Sequence, residues 1–284
     1  MLFNAALLLQ GGAMRCVFTA GVLDAFMDND IEFSDVYGIS AGSKDAQYYP
    51  GKQRGYAFLG DLASVNDPNV FDMANLLQGK PVIDNDYYIK EIRDKLYPLD
   101  TKALLESPVK LHVGCTNVKT GKIEYFEKDD PCFTKALCAS CALPVLQPMV
   151  EIRNEFYLDG GCAEPVPLYT AKKAGFDKIV IVETREKGFR ENPNEDAFGF
   201  FYGMKYNSYP EFLDLLKNNK KIYNEIYDEI DKLEEEGKVI VIRPSKAPNI
   251  DRLERDKDKL KDLYQDGYNE GKKALMKFMD YFKD

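Results

Sequence analysis

Apolar positions in the first half of the chain fall into short continuous runs separated by longer stretches with helical spacing. Ala5 to Leu9 reads as a buried strand, followed by a glycine turn and a helix over about 18–27. Val36 and Tyr37 end a second strand, and a helix from about Ala41 runs towards Tyr49, where Pro50-Gly51 stops it. Segments 86–97 and 100–106 have helical spacing. Val109 to Cys115 and Lys122 to Phe126 read as strands joined by the turn residues of 117–121, and further strands cover about 155–158 and 178–182. Strands alternating with helices predict an α/β fold: three layers, α/β/α, around a mainly parallel sheet.

Beyond about residue 190 the pattern changes. Asn192-Pro193-Asn194 marks a loop, and two long, highly charged helices are expected at about 210–236 and 251–283, separated by a short strand at 239–242. The chain is therefore expected to divide into an α/β domain, 1–190, and a mostly helical extension packed on it, 191–284. Between them lies an aromatic-rich stretch with Phe198, Phe200, Phe201, Tyr202, Tyr206, Tyr209 and Phe212. It reads as an anchor for the C-terminal helices, with a lid or lipid-contacting cap as the alternative. Pairs such as Asp251 with Arg255 and Glu254 with Lys257 read as a solvated helical face.

A net charge of -9 argues against nucleic acid and against electrostatic recruitment to an anionic membrane surface. Neutral or locally inserted lipid stays open, as a transient membrane contact. No run approaches the roughly 20 apolar residues that span a bilayer, and Ala5 to Leu9 is too short for a signal core. The 6 cysteines lack the spacing of a secreted disulfide framework, so a reduced, cytoplasmic setting is expected. Cys138-x-x-Cys141 has no second pair and no suitably spaced histidine. Neither a metal nor a cofactor is expected.

Candidate chemistry starts from Gly38-Ile39-Ser40-Ala41-Gly42, a G-x-S-x-G nucleophile elbow in a chain with 1 histidine. That residue, His112, alternates with Val109, Leu111 and Val113 and reads as a strand residue on a polar outer face rather than as a base. Asp159, in Tyr157-Leu158-Asp159-Gly160-Gly161, directly follows a strand and is the better candidate, with Gly160 and Gly161 letting the chain turn away. An aspartate of ordinary pKa about 3.9 must then take the hydroxyl proton through close hydrogen bonding in a dry pocket. Gln10-Gly11-Gly12-Ala13-Met14-Arg15-Cys16, between strand and helix, offers backbone N–H groups suited to an oxyanion. A dinucleotide fingerprint fails there at Ala13 and Cys16.

Together these three motifs resemble the patatin-like phospholipases, with their G-G-G-x-R-G loop, G-x-S-x-G elbow and D-G-[AG] motif. The resemblance extends over about 4–185, including Ala20-Gly21-Val22-Leu23 and Ala139-Ser140-Cys141-Ala142-Leu143-Pro144, and the tail resembles that of a bacterial branch with a helical extension. It implies a Ser-Asp dyad: Ser40 as nucleophile, Asp159 as base, the amides of Gly11, Gly12, Ala13, Met14 and Arg15 as oxyanion hole, and Arg15 bracing that loop. Gly38, Gly42, Gly160 and Gly161 would be the glycines of the elbow and the Asp motif. The activity implied is metal-free hydrolysis of carboxylic esters in phospholipids, lysophospholipids or simple acyl esters. Ala13 and Cys16 replace family glycines, and alanine suits the loop only if position 13 does not need φ > 0. A catalytically impaired lipid-binding protein on the same fold, or an acyltransferase, are the alternatives.

Overall fold

The computed structural model describes residues 1–72, 74–78, 80–195 and 199–283. Apolar runs become the strands β1 (Leu2–Leu9), β2 (Glu32–Ile39), β3 (Lys110–Asn117), β4 (Ile123–Glu127), β5 (Val150–Ile152), β6 (Glu155–Asp159), β7 (Ile179–Val182) and β8 (Val239–Ile242) of one sheet. Its order is β5-β6-β3-β2-β1-β7-β8, with β4 paired to β3 off this path. The pairs β3/β2, β2/β1, β1/β7 and β7/β8 are parallel; β4 and β6 each run antiparallel to β3, and β5 antiparallel to β6. Helices cover both faces, so the sheet is the middle of three layers. The chain winds from β1 out to β3 and later returns to β7, which puts a topological switch between β1 and β7. Ligand crevices form beside the carboxyl ends of strands at such a point.

One face is covered by α1 (Val17–Asp28) and the C-terminal helix, whose Phe278 packs against Phe26 and Phe33 with ring centroids 5.6 and 5.8 Å away. The two helices touch backbone to backbone. A methyl group on Gly267 would lie 2.0 Å from the Phe18 carbonyl oxygen, and one on Gly21 would lie 2.2 Å from that of Tyr264. On the other face Ile226, Tyr227 and Ile230 pack over Leu8, Ile181 and Val241. The strand face carrying His112 is therefore covered rather than solvated: His112 is buried, stacked on Tyr37 at 4.2 Å.

Three expected elements differ in extent. The helix after the elbow, α2 (Ala41–Ala46), stops short of Tyr49. The 86–97 stretch forms a wide π-helix over Tyr88–Leu96. The last helix starts only at Lys257, where the Asp256 carboxylate accepts the N–H groups of Asp258 and Lys259. Residues 251–256 are thus an irregular strap, not a helical face; Glu254 pairs with Lys259 at 3.2 Å and Arg255 lies over the ring of Phe71. The segment beyond 190 also supplies a strand, β8, to the central sheet.

Part of the aromatic stretch is an anchor, while Phe201 is exposed and Tyr202 lines the cavity that holds Ser40. Tyr206 and Phe212 are fully buried edge to face at 5.1 Å, and the Tyr206 hydroxyl accepts the Val145 N–H at 2.9 Å. Phe198 and the side chain of Phe200 lie outside the described residues.

Candidate active site

Ser40 directly follows β2 with φ 54 and ψ -133, a conformation that costs a non-glycine residue about 1–3 kcal/mol. Three hydrogen bonds hold it there. Its N–H donates to Ser140 Oγ at 2.9 Å, and Ser140 in turn donates to the Gly114 carbonyl at 2.6 Å. The Ser43 hydroxyl donates to the Ser40 carbonyl at 2.7 Å. The elbow glycines serve close approach: a Cβ on Gly38 would lie 2.5 Å from Ser43 Cα, and one on Gly42 would lie 2.5 Å from the Gln10 carbonyl oxygen.

Strand register brings the carboxylate to the hydroxyl. Ile39 pairs with Gly114 on one edge of β3, and Asp159 pairs with the next residue, Cys115, on the other. Because β6 runs antiparallel, Asp159 arrives at the level of Ser40, which donates its hydroxyl to Asp159 Oδ2 at 2.6 Å. Asp159 Oδ1 accepts the Gly161 N–H at 2.8 Å, and Gly160 sits against the Gly114 carbonyl, where a Cβ would come within 2.3 Å. Burial pushes the Asp159 carboxyl up to about 6, against the opposing pull of the Ser40 hydroxyl, the Gly161 N–H and Arg252. His112 faces elsewhere, with Nε2 3.0 Å from Asp35.

The loop after β1 lies against the hydroxyl: a Cβ on Gly11 would fall 2.7 Å from Ser40 Cβ. Its five amides divide. Met14 N–H donates to the Arg252 carbonyl and Arg15 N–H to that of Gly12, both at 3.2 Å, so these two are not free for an oxyanion. Among the described residues the amides of Gly11, Gly12 and Ala13 have no internal acceptor. Ala13 has φ 51, so position 13 does take the left-handed conformation that alanine disfavours, at about 1–2 kcal/mol. Arg15 is buried and its Nε donates to the Ile250 carbonyl at 3.2 Å, tying the loop to the strap. Cys16 is buried with Sγ 3.5 Å from the Gln10 carbonyl.

Several supports of the site belong to no sequence motif. Gln10 accepts the Thr184 N–H at 2.7 Å and donates to the Tyr223 hydroxyl at 3.0 Å, while Thr184 Oγ1 donates to the Gly11 carbonyl at 3.0 Å. Lys44, one helical turn after Ser40, donates to Asp61 and lies 4.7 Å over the Tyr88 ring. Polar residues at the carboxyl ends of β1 and β7 were the available signal for Gln10 and Thr184. Gln10, Lys44, Tyr88, Thr184 and Tyr223 line a cavity of about 520 Å³ that also contains Ser40 and Asp159. The cysteines are free; Cys138 is buried beside Asp86, and Cys141 lies in the cavity wall with its thiol held high by burial. Among the described residues no group of three His, Cys, Asp or Glu side chains could hold a metal, and no helix is long and apolar enough to cross a membrane.

A three-layer α/β sheet with an elbow serine hydrogen-bonded to a buried carboxylate defines a class, and the sequence comparison agrees with it. The family profile described as Patatin-like phospholipase matches residues 7–172, and the chain belongs to that family. Membership supports lipid acyl hydrolase activity in general terms. A second profile, a domain of unknown function (DUF6363), matches residues 209–283. "Uncharacterized protein YjjU" of Escherichia coli (strain K12) is 26% identical over 249 residues, 85% of this chain and 68% of that protein. Among solved structures, VipD from Legionella pneumophila aligns over 99% of this chain and 67% of its own, with a TM-score of 0.46 at 14% identity.

Proposed function

We propose that this protein is a serine acyl hydrolase working through Ser40 and Asp159, with residues 1–190 carrying the chemistry and 191–284 shaping the pocket. The observation that carries the reading is the 2.6 Å hydrogen bond from Ser40 Oγ to a buried carboxylate whose affinity for protons is raised. A base near pKa 6 is a far better proton acceptor than an exposed aspartate and is still ionised at neutral pH. Ser40 Oγ attacks the ester carbonyl carbon as its proton passes to Asp159. The developing oxyanion lies against the amides of Gly11, Gly12 and Ala13, where one donor is worth about 10²–10³ in rate. Collapse expels the alcohol, which takes the proton from Asp159, and water then hydrolyses the acyl-enzyme by the same steps. Nothing in this sequence of steps calls for a metal or an imidazole.

Ala13 favours a second reading, a lipid-binding protein with an impaired hole, because its left-handed backbone carries a strain that glycine would not. That strain acts on loop stability, whereas the amides that would bind the oxyanion are kept by alanine. One experiment separates the readings. Purified protein treated with a fluorophosphonate probe labels at Ser40 and turns over short-chain esters, and Ser40→Ala loses both. Lipid binding with neither labelling nor turnover favours the impaired reading. Turnover that persists in Ser40→Ala removes the assignment.

A further inference from the structure

The cavity wall combines two chemistries. The segments at 65–83 and 143–146 contribute Val65, Val70, Ile83, Leu143 and Leu146. The loops that follow β1, β7 and β8 bring Arg15, Arg185 and Arg252 to the same cavity. Hydrogen bonds hold these loops together: Met14 N–H and Arg15 Nε reach the carbonyls of Arg252 and Ile250, and Thr184, next to Arg185, donates to the Gly11 carbonyl. Burial, then Arg185 and Arg252, lower the Arg15 pKa to about 10 against the opposing pull of Tyr223 and Glu191. The partners of the three guanidiniums do not balance their charge. Arg252 meets Glu191 at 3.3 Å, Arg15 Nε meets only the Ile250 carbonyl, and Arg185 lies 4.0 Å over the Phe189 ring. Among the described residues neither Arg15 nor Arg185 has a carboxylate within 4.0 Å, and Glu191, paired with Arg252, is also the acid that attracts Arg15, which leaves two guanidiniums without a carboxylate of their own. Leaving aside Lys44, which pairs with Asp61 behind the wall, six basic side chains line the cavity against four acidic ones, in a chain whose net charge is -9. A local excess of the opposite sign, against the charge of the whole chain, is what an anion subsite requires.

We propose that Arg15, Arg185 and Arg252 form a phosphate subsite, and that the favoured substrate is an acyl ester whose alcohol carries a phosphate monoester. The inference rests on the acyl-hydrolase reading above and names its substrate. A phosphate monoester carries about two negative charges at neutral pH, matching the two unbalanced guanidiniums, and arginine recognises it with paired donors. A zwitterionic head group brings its own cation and makes poorer use of them. The acyl chain packs on the apolar residues and the phosphorylated alcohol meets the arginines, so hydrolysis cleaves only the acyl C–O bond and leaves the phosphate ester intact. Arg252 belongs to the C-terminal strap, outside the segment matched by the patatin-like profile. It also lowers the proton affinity of Asp159. The extension is thereby a part of the site that sets specificity.

The test compares one acyl chain on glycerol 3-phosphate, on glycerophosphocholine and on glycerol, measured as kcat/KM. The phosphate monoester is favoured by about tenfold or more at pH 8, and the preference shrinks below about pH 6, where that phosphate takes up a proton. Arg252→Gln and Arg185→Gln each reduce the preference about fivefold or more. A preference near one, or one that neither variant moves, overturns the subsite. Binding of the corresponding non-hydrolysable ethers to Ser40→Ala reads the subsite without chemistry: the phosphate ether binds more tightly than the phosphocholine ether. Equal binding overturns this inference alone, whereas tight phosphate binding with no ester turnover by the native protein overturns the hydrolase reading alone.

Discussion

Asp159 is held where a carboxylate is least comfortable, and its neighbours only partly compensate. Burial raises its pKa from 3.8 to about 6 in spite of the hydrogen bonds from Ser40 and Gly161. A shift of about two units corresponds to roughly 3 kcal/mol. Its sign follows from proton binding: the folded state holds this proton more tightly than the unfolded state. The group's contribution to stability is therefore greatest at low pH and declines as pH rises from about 4 to about 6. Asp159→Asn removes that decline while keeping an oxygen for the Ser40 hydroxyl. The variant's stability advantage over the native protein grows between pH 4 and pH 6.5 and then levels, reaching about 2–3 kcal/mol in denaturant unfolding. Its ester turnover is lost, and native kcat/KM falls about tenfold per pH unit below 6. An advantage that is constant with pH would show that the carboxylate is not strained as described.

The α1–C-terminal helix contact turns on missing side chains. Gly267 has the Phe18 carbonyl where its Cβ would be, at 2.0 Å, and backbone cannot swing aside as a side chain can. Gly267→Ala therefore forces the helices apart and costs about 3 kcal/mol, a loss of roughly 6–10 °C in Tm for a chain of this size. Gly203, also in a helix but with nothing within 4 Å of its Cβ position, makes the control: Gly203→Ala leaves Tm unchanged or slightly higher. Thermal unfolding followed by circular dichroism distinguishes the two, and equal effects would sink the packing argument. These helices also mark where the sequence could be read. The buried strands and the elbow were legible because their signals are local: apolar runs, and glycines flanking one serine. The helices at Tyr56–Ser64 and Leu168–Lys173 were not, being short and, in the first, interrupted by Gly60 and a buried Asp61. The strap at 251–256 imitated a helix because opposite charges four apart look the same in any conformation. What joins Ser40 to Asp159 is the antiparallel sense and register of β6 against β3, a property of pairing that neither segment carries alone.

Every motif of the proposed chemistry lies before residue 190, yet the fold does not close there. β8 lies against the outer edge of β7, and its backbone completes that ladder. The C-terminal helix covers Phe26 and Phe33, and Ile226, Tyr227 and Ile230 cover Leu8 and Ile181. Removing 191–284 would thus bare both faces of the sheet at its β1–β7 centre and open a hydrophobic parallel edge, which invites association with other chains. It would also free the Met14 N–H and the Arg15 guanidinium from their partners at Arg252 and Ile250, loosening the loop beside Ser40. A chain of residues 1–190 should then aggregate, or stay soluble without a cooperative thermal transition and without ester turnover, although it keeps Ser40 and Asp159. Restoring 191–284 as a separate polypeptide should recover activity only if the two are refolded together, because the buried interface has no solvated form to dock from. A soluble, monomeric, active 1–190 fragment would mean that the extension is an accessory and that the sheet is complete without its eighth strand.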